Sequence, residues 1–217
     1  MKLTKKFKPS GIIFDYDGTL ADTPEDNFLA WQWALRQFHV EITRQDYFPL
    51  EGLKITRIAE KFLQIAKANA LDIAAIVELR EEYSRKNLTP KLYSSTLPTL
   101  RALQARGFPM ALASAASRER LSHPALAELK SLLTVVLSGD DFKVGKPSPE
   151  PYLTAASLLK IPATECLVIE NAPLGIQSAR AAGMECIALR TTLNDSYLDG
   201  ASVIVTALED ILAHIEG

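Results

Sequence analysis

The sequence has little cysteine or histidine, and what it has is not placed for chemistry. Its two cysteines, Cys166 and Cys186, sit in separate apolar, strand-like runs with no CxxC or Cys/His zinc spacing around them. They read as buried, reduced thiols of a cytoplasmic protein, not as a nucleophile. The three histidines, His39, His123 and His214, are scattered without partners at useful spacing and are assigned no role. No apolar run approaches the ~20 residues of a membrane span, and no membrane partner is expected. Charge of one sign is also lacking: a formal net charge of -2 over 217 residues argues against nucleic acid as a partner. Lys2, Lys5, Lys6 and Lys8 form a small basic cluster, but the apolar segment of a signal peptide does not follow it, so they read as a solvated tail. No internal repeat or low-complexity segment stands out. What remains is a chain with 47% hydrophobic residues, long enough for one core or a core and a small second lobe, and expected to be a monomer.

Two patterns divide the chain. Thr23-Pro24-Glu25 has the form of a helix start, with proline at the first position and acids in the first turn. Helical periodicity follows, with Phe28, Trp31, Ala34, Leu35 and Phe38 on one face, then Ile58, Phe62, Ile65 and Ala66, then Ile76, Leu79 and Tyr83 in a segment over 73–86. Residues 25–92 are therefore expected to be an all-helical insert. From Thr96 onward, helix and strand alternate, as in a parallel α/β sheet. Helices are predicted over 97–106, 118–130, 149–159, 174–182 and 207–215, and strands over 110–113, 133–137, 166–169, 185–189 and 202–205. The expected fold is α/β, with a Rossmann-like parallel-sheet core formed by residues 1–24 and 93–217.

The first strand carries the strongest signal. Gly11-Ile12-Ile13-Phe14 is a buried-strand run that ends in Asp15-Tyr16-Asp17-Gly18-Thr19-Leu20. Side chains alternate along a strand, so Asp15 and Asp17 point the same way. Two carboxylates about 4 Å apart repel by about 4 kcal/mol at an effective dielectric near 20, and a bound cation would offset that. Other strands also end in polar groups: Ser114, Lys146 just beyond a third strand, and Glu170-Asn171. In an open parallel sheet these strand ends meet at one edge, where ligands bind. Carboxylates and an amide oxygen suit Mg²⁺, while a hydroxyl, a backbone amide and an ammonium suit phosphate oxygens.

Four ordered motifs now converge: Asp15-Tyr16-Asp17-Gly18-Thr19-Leu20, Leu112-Ala113-Ser114-Ala115, Gly145-Lys146-Pro147 and Glu170-Asn171-Ala172-Pro173-Leu174-Gly175-Ile176. In these the chain resembles the haloacid dehalogenase superfamily, specifically its phosphatases and phosphomutases with a helical cap after the first strand. The resemblance implies that Asp15 becomes a phospho-aspartate and that Asp17 is the general acid and base. It implies that Ser114, the Ala115 amide and Lys146 hold the phosphoryl group. Mg²⁺ would be held by the Asp15 carboxylate, the Asp17 carbonyl and the Glu170-Asn171 pair. Asn171 departs from the commoner pattern, which has Asp at this place, so one negative charge is lost.

The substrate expected is a small phosphorylated metabolite such as a sugar phosphate, with Gly52, Lys54 and Arg57 in the insert as candidate contacts. The alternative is a sugar phosphomutase similar to β-phosphoglucomutase, although the insert lacks the Gly-x-x-Arg associated with it. Gly52-Leu53-Lys54-Ile55 also resembles a segment of phosphonoacetaldehyde hydrolases, but those carry alanine where this chain has Asp17. A phosphate-sensing module without catalysis is disfavoured by intact Asp15, Asp17, Ser114 and Lys146.

Overall fold

A computed structural model describes residues 5–68 and 71–216. Six parallel strands form one sheet: β1 (Gly11–Phe14), β2 (Met110–Ala113), β3 (Val135–Leu137), β4 (Cys166–Glu170), β5 (Glu185–Leu189) and β6 (Val203–Val205). Their order is β3-β2-β1-β4-β5-β6. The chain thus runs outward from β1 to one edge, then returns to β4 on the other side of β1, which makes the carboxyl ends of β1 and β4 the switch point where such sheets bind ligands.

Strand alternation splits the core in two. Ile12, Phe14, Met110, Leu112, Leu167, Ile169, Ile187 and Leu189 pack on one face with Leu100 and Leu103 of α5 (Thr96–Ala105). Ile13, Ala111, Ala113, Val168, Cys186 and Ala188 pack on the other with Tyr152 and Ala155 of α8 (Glu150–Leu159) and Ile176 and Ala179 of α9 (Pro173–Ala181). With both faces covered, every residue of β1, β2 and β4 is buried.

Among the described residues, the stretch between β1 and α5 holds α1 (Pro24–Arg36), α2 (Arg44–Tyr47), α3 (Ile55–Ile65) and α4 (Ile73–Asn87), with a short 3-10 turn at Phe48–Leu50. Phe28, Trp31, Leu35, Ile58, Phe62 and Ile76 give them a hydrophobic cluster of their own. Two strands of linker run side by side at the root of this insert: Ala21 bridges Leu92, and the Asp22 amide donates to the Lys91 carbonyl at 2.8 Å.

Several elements differ from the sequence reading. The helix expected over 118–130 is broken into α6 (Arg118–Leu121), a 3-10 turn at Pro124–Leu126 and α7 (Ala127–Ser131), because His123 precedes a proline and takes an extended ψ of 134°. The closing helix is 3-10, over Leu208–Ala213. The α3 stripe turns inward through Ile58, Ala59, Phe62 and Leu63, leaving Ile65 and Ala66 exposed. In α4 the buried positions are Ile76, Arg80, Glu81 and Ser84, a largely polar face, in place of Leu79 and Tyr83. The basic cluster is not free: Lys5 pairs with Glu185, Lys6 donates to the Ala213 carbonyl, Lys8 pairs with Glu216, and Phe7 bridges Ile215; Lys2 lies outside the described residues. His214 Nδ1 lies 2.9 Å from the Lys5 carbonyl oxygen, a terminal contact far from the strand-end cluster.

Candidate active site

Alternation along β1 and β4 puts Asp15 and Glu170 on the face covered by α8 and α9. Lys146, on the loop entering α8, lies between them with its Nζ 2.5 Å from Asp15 Oδ1 and 2.6 Å from Glu170 Oε1. All three residues are buried. Glu170 Oε1 also accepts the Tyr152 hydroxyl at 2.8 Å, and its Oε2 accepts the Asn171 and Ala172 amides at 2.7 and 2.9 Å. These four bonds occupy the acceptor sites of a carboxylate, so Glu170 is a fixed negative charge beneath the site with no open coordination position. Burial raises the Asp15 carboxyl to about 7; Lys146 acts against that and Glu170 adds to it. Burial opposes the charge on Lys146, but Asp15 and Glu170 prevail and hold its pKa above the ordinary value.

Asp17 sits in a different setting. Gly18, at φ 79°, turns the chain directly after it, and the amides of Thr19, Leu20 and Ala21 close on the Tyr16 carbonyl. Asp17 Oδ1 accepts from Thr23 Oγ1 at 2.6 Å, Asn27 Nδ2 at 2.9 Å and Arg120 Nη2 at 3.0 Å. Burial pushes this carboxyl up, yet Arg120 and the two hydrogen bonds outweigh burial and hold it below the usual range. Thr23, which reads as a helix cap, makes no capping bond because its hydroxyl is spent on Asp17.

The insert contributes a carboxylate that the motifs do not contain. Glu51 is 3% exposed; its Oε2 lies 3.3 Å from Asn171 Nδ2, and its Oε1 is buried without a partner. Burial, then the charges of Asp17, Asp15 and Glu170, push its carboxyl well up. Asn171 is held on its other sides by Thr19 Oγ1, which donates to Oδ1 at 3.1 Å, and by Thr192 Oγ1, 3.2 Å from Nδ2. From α4, the buried Arg80 pairs with Glu81 and donates to Asn27 Oδ1 at 2.7 Å. Asp17, Trp31, Glu51, Arg80, Ala115 and Arg120 line a cavity of about 30 Å³, space for about one water. On the far side of Asn27 and Arg120 a larger cavity of about 330 Å³ opens, lined also by Tyr16, Thr23, Ser84 and His123.

The structure brings Asp15, Asp17, Ser114, Ala115, Lys146, Glu170 and Asn171 to one edge. Ser114 is buried, with its Oγ accepting the Ala116 amide at 3.0 Å, and Ala115 lines the small cavity. Gly52 lies against the Lys146 side chain. Lys54 does not reach Asp15; it donates to the Phe142 carbonyl at 2.6 Å and so braces the loop that carries Lys146. Arg57 is not brought to the site, because it lies on the outward side of α3 and pairs with Glu60. Glu51, Asn27, Arg80, Arg120 and Tyr152 are additions that no motif marked.

Among the described residues no three His, Cys, Asp or Glu side chains form a ready-made metal cage. Mg²⁺ does not need one, since it keeps several waters and uses one or two carboxylates. The oxygen-rich set of Asp15, the Asp17 carbonyl and Asn171, beside an orphaned Glu51 oxygen, fits such a cation.

A family profile described as haloacid dehalogenase-like hydrolase matches residues 12–189, a span that holds all of these strand ends. The chain belongs to that family. Among its relatives, fructose-1-phosphate phosphatase YqaB of Escherichia coli K12 is 31% identical over 183 residues, covering 83% of this chain and 96% of that protein. β-Phosphoglucomutase of Bacillus subtilis is 28% identical over 92% of this chain and 90% of its own length. The chloroplastic Suppressor of Quenching 1 of Arabidopsis thaliana is 31% identical over 200 residues, but the chain spans only 19% of its length. A crystal structure of β-phosphoglucomutase from Clostridium difficile shares the fold, with a TM-score of 0.81 at 20% identity over 94% of this chain and 93% of that one.

Proposed function

We propose that the chain is a Mg²⁺-dependent phosphoric monoester hydrolase that frees phosphate from a small phosphorylated metabolite, a sugar phosphate, through a phospho-Asp15 intermediate. The observation that carries this reading is the pairing of buried Asp15 with Lys146 at 2.5 Å, while Asp17 is held by a separate set of donors. One Asp15 oxygen would form a bond to phosphorus as the ester P–O bond breaks, and the Asp17 carboxyl would give its proton to the leaving oxygen. Asp17 would then take a proton from the water that attacks phosphorus and releases Asp15. Ser114, the Ala115 amide and Lys146 would hold the phosphoryl oxygens. Mg²⁺ would be held by the Asp15 carboxylate, the Asp17 carbonyl and Asn171, with Glu170 as a charge behind them, and would supply neutralisation of the two anions that must meet.

The helical insert would act as the cap, closing the site to bulk water. The 330 Å³ cavity is of the size class that takes small ligands, and its wall shares Arg120 and Asn27 with the Asp17 site. The relatives that act on phosphorylated sugars support the substrate class. Buried Cys166 and Cys186, free and with thiols raised by burial, support a reducing cytoplasmic setting.

A phosphomutase is the second reading, favoured by the similarity to the Bacillus subtilis enzyme. Phosphate release measured over a panel of phosphorylated metabolites, without a bisphosphate activator, separates the two. Hydrolysis by the wild type and none by Asp15→Asn supports the proposal. Isomer interconversion that requires the activator supports the mutase, and activity unchanged in Asp15→Asn overturns the mechanism.

A further inference from the structure

Asn171 and Glu51 form a matched pair. Asn171 stands at the strand end where a second carboxylate would normally be supplied to a cation, and its amide is fixed by Thr19 and Thr192 so that Nδ2 faces Glu51 Oε2 at 3.3 Å. Glu51 comes from the insert, is 3% exposed, and leaves Oε1 without a hydrogen-bond partner. It lines the same small cavity as Asp17. Among the described residues no side-chain cation pairs with it: Lys146 is bonded to Asp15 and Glu170, Arg120 to Asp17, and Arg80 to Glu81. The site thus joins four carboxylates, Asp15, Asp17, Glu51 and Glu170, to two cations, Lys146 and Arg120. Ionising all four, which burial opposes at Asp15 and Glu51, gives a buried excess of two negative charges that a divalent cation would offset. Glu170 is saturated by its four hydrogen bonds, which leaves Glu51 as the carboxylate with an open buried oxygen.

We propose that Glu51 supplies to the divalent-cation site the carboxylate that Asn171 does not carry, so that the cation is held from both the sheet edge and the helical insert. This rests on the reading of the site as Mg²⁺-dependent. It makes cation affinity and insert closure mutually dependent: the cation is bound tightly only when the insert presents Glu51, and its binding favours the closed arrangement. Asn171 is then the partner Glu51 requires, since aspartate there would set two carboxylates against each other at 3.3 Å.

The test uses the wild type, Glu51→Gln, Asn171→Asp and the Glu51→Gln/Asn171→Asp double variant, all without substrate. Mn²⁺ affinity is read from the free-ion electron paramagnetic resonance signal, Mg²⁺ affinity by calorimetry, and folding by thermal melts in chelator. Glu51→Gln is expected to weaken Mn²⁺ binding about 10- to 100-fold, the range for altered residues around a metal centre. The double variant, which moves the charge back to the sheet edge, is expected to recover most of that loss. In chelator, Glu51→Gln should melt no lower than wild type, because glutamine keeps an oxygen for Asn171 Nδ2 and removes a buried carboxyl that no side-chain cation offsets. Wild-type Mn²⁺ affinity in Glu51→Gln, or a loss that the double variant does not restore, overturns the inference. Should Glu51→Gln fail to fold, the Asn171→Asp single variant still decides: Mn²⁺ binding tighter than wild type while the chelator melt is unchanged means that Glu51 does not face position 171. A wild type that binds neither ion overturns instead the Mg²⁺-dependent reading on which the inference rests.

Discussion

Lys146→Met removes a cation in contact with two buried carboxylates and keeps a side chain of similar length. Lys146 is 2% exposed, with Asp15 Oδ1 at 2.5 Å and Glu170 Oε1 at 2.6 Å. Deleting one member of a buried ion pair costs about 3–5 kcal/mol, because the other charge is left without compensation. For a chain of this size each kcal/mol moves Tm by about 2–4 °C, so the variant should melt about 6–20 °C lower in chelator at pH 8. The loss has a pH signature. Asp15 titrates near 7 in the fold, above its ordinary value, so its protonated form adds stability that is fully present below about pH 4 and fades as pH rises through 7. Without Lys146 that carboxyl rises further, and at pH 5 Asp15 is neutral and no longer needs a cation. Differential scanning calorimetry at pH 5 and pH 8 should therefore show a deficit at pH 5 that is about half that at pH 8 or less. Equal deficits at both pH values, or a shift below about 2 °C at pH 8, would refute the claim that Lys146 serves to hold these two carboxylates.

Asp17→Asn should lower kcat about 10²- to 10⁴-fold on alkyl phosphates, the contribution of a positioned acid–base group, and less on aryl phosphates, whose leaving oxygen needs little proton assistance. Equal losses on both ester types would remove Asp17 from proton transfer. Arg120→Gln takes away the strongest of the influences that overcome burial at Asp17, so this carboxyl titrates higher in the variant. A carboxyl lowered by folding adds stability above its unfolded value and loses it as pH falls through the folded one; the variant should lose stability at neutral pH, seen by urea unfolding. The alkaline limb of its kcat/KM profile, set by the protonated acid, should move to higher pH, and an unmoved limb would show that Arg120 does not act on Asp17. Gly175→Ala places a Cβ in collision with the Glu170 carboxylate and should cost about 1–3 kcal/mol in urea unfolding, with a loss of phosphate release as Lys146 is displaced.

The sheet edge was legible because strands announce where they end. Ile12-Ile13-Phe14 and Cys166-Leu167-Val168-Ile169 are short buried runs, and the first polar residue after each had to lie at the carboxyl edge, on a face given by alternation. The insert resisted the same reading because apolar periodicity finds only apolar faces. In α4, Arg80 and Ser84 follow Ile76 at four-residue steps and share its buried side, a polar continuation of the stripe that hydrophobicity alone discards. Glu51 had a weaker signal, its place directly before the turn at Gly52, and only the packing of the insert on Asn171 reveals its burial. Arg120 was assigned to an unbroken helix, while the break at His123-Pro124 leaves it on the single turn that faces Asp17.

The two carboxylates of the first motif are two residues apart, yet their surroundings drive them in opposite directions. Burial raises Asp15, and a cation with two neutral donors lowers Asp17. The proposed chemistry needs the reverse order, an ionised Asp15 to attack and a protonated Asp17 to give up its proton. A divalent cation against Asp15 acts in the required direction on the nucleophile, because positive charge favours the ionised form. For the acid, Arg120 is the largest of the influences that lower Asp17, and its bond is the charged one among them. Arg120 lies in the wall between the small cavity at Asp17 and the larger one beyond. On the proposed mechanism, a phosphorylated ligand that entered through the larger cavity would meet that guanidinium, and drawing it away would leave Asp17 free to hold a proton. Entry of substrate and arming of the acid would then be one event, with Arg120 as the group that keeps the acid discharged beforehand.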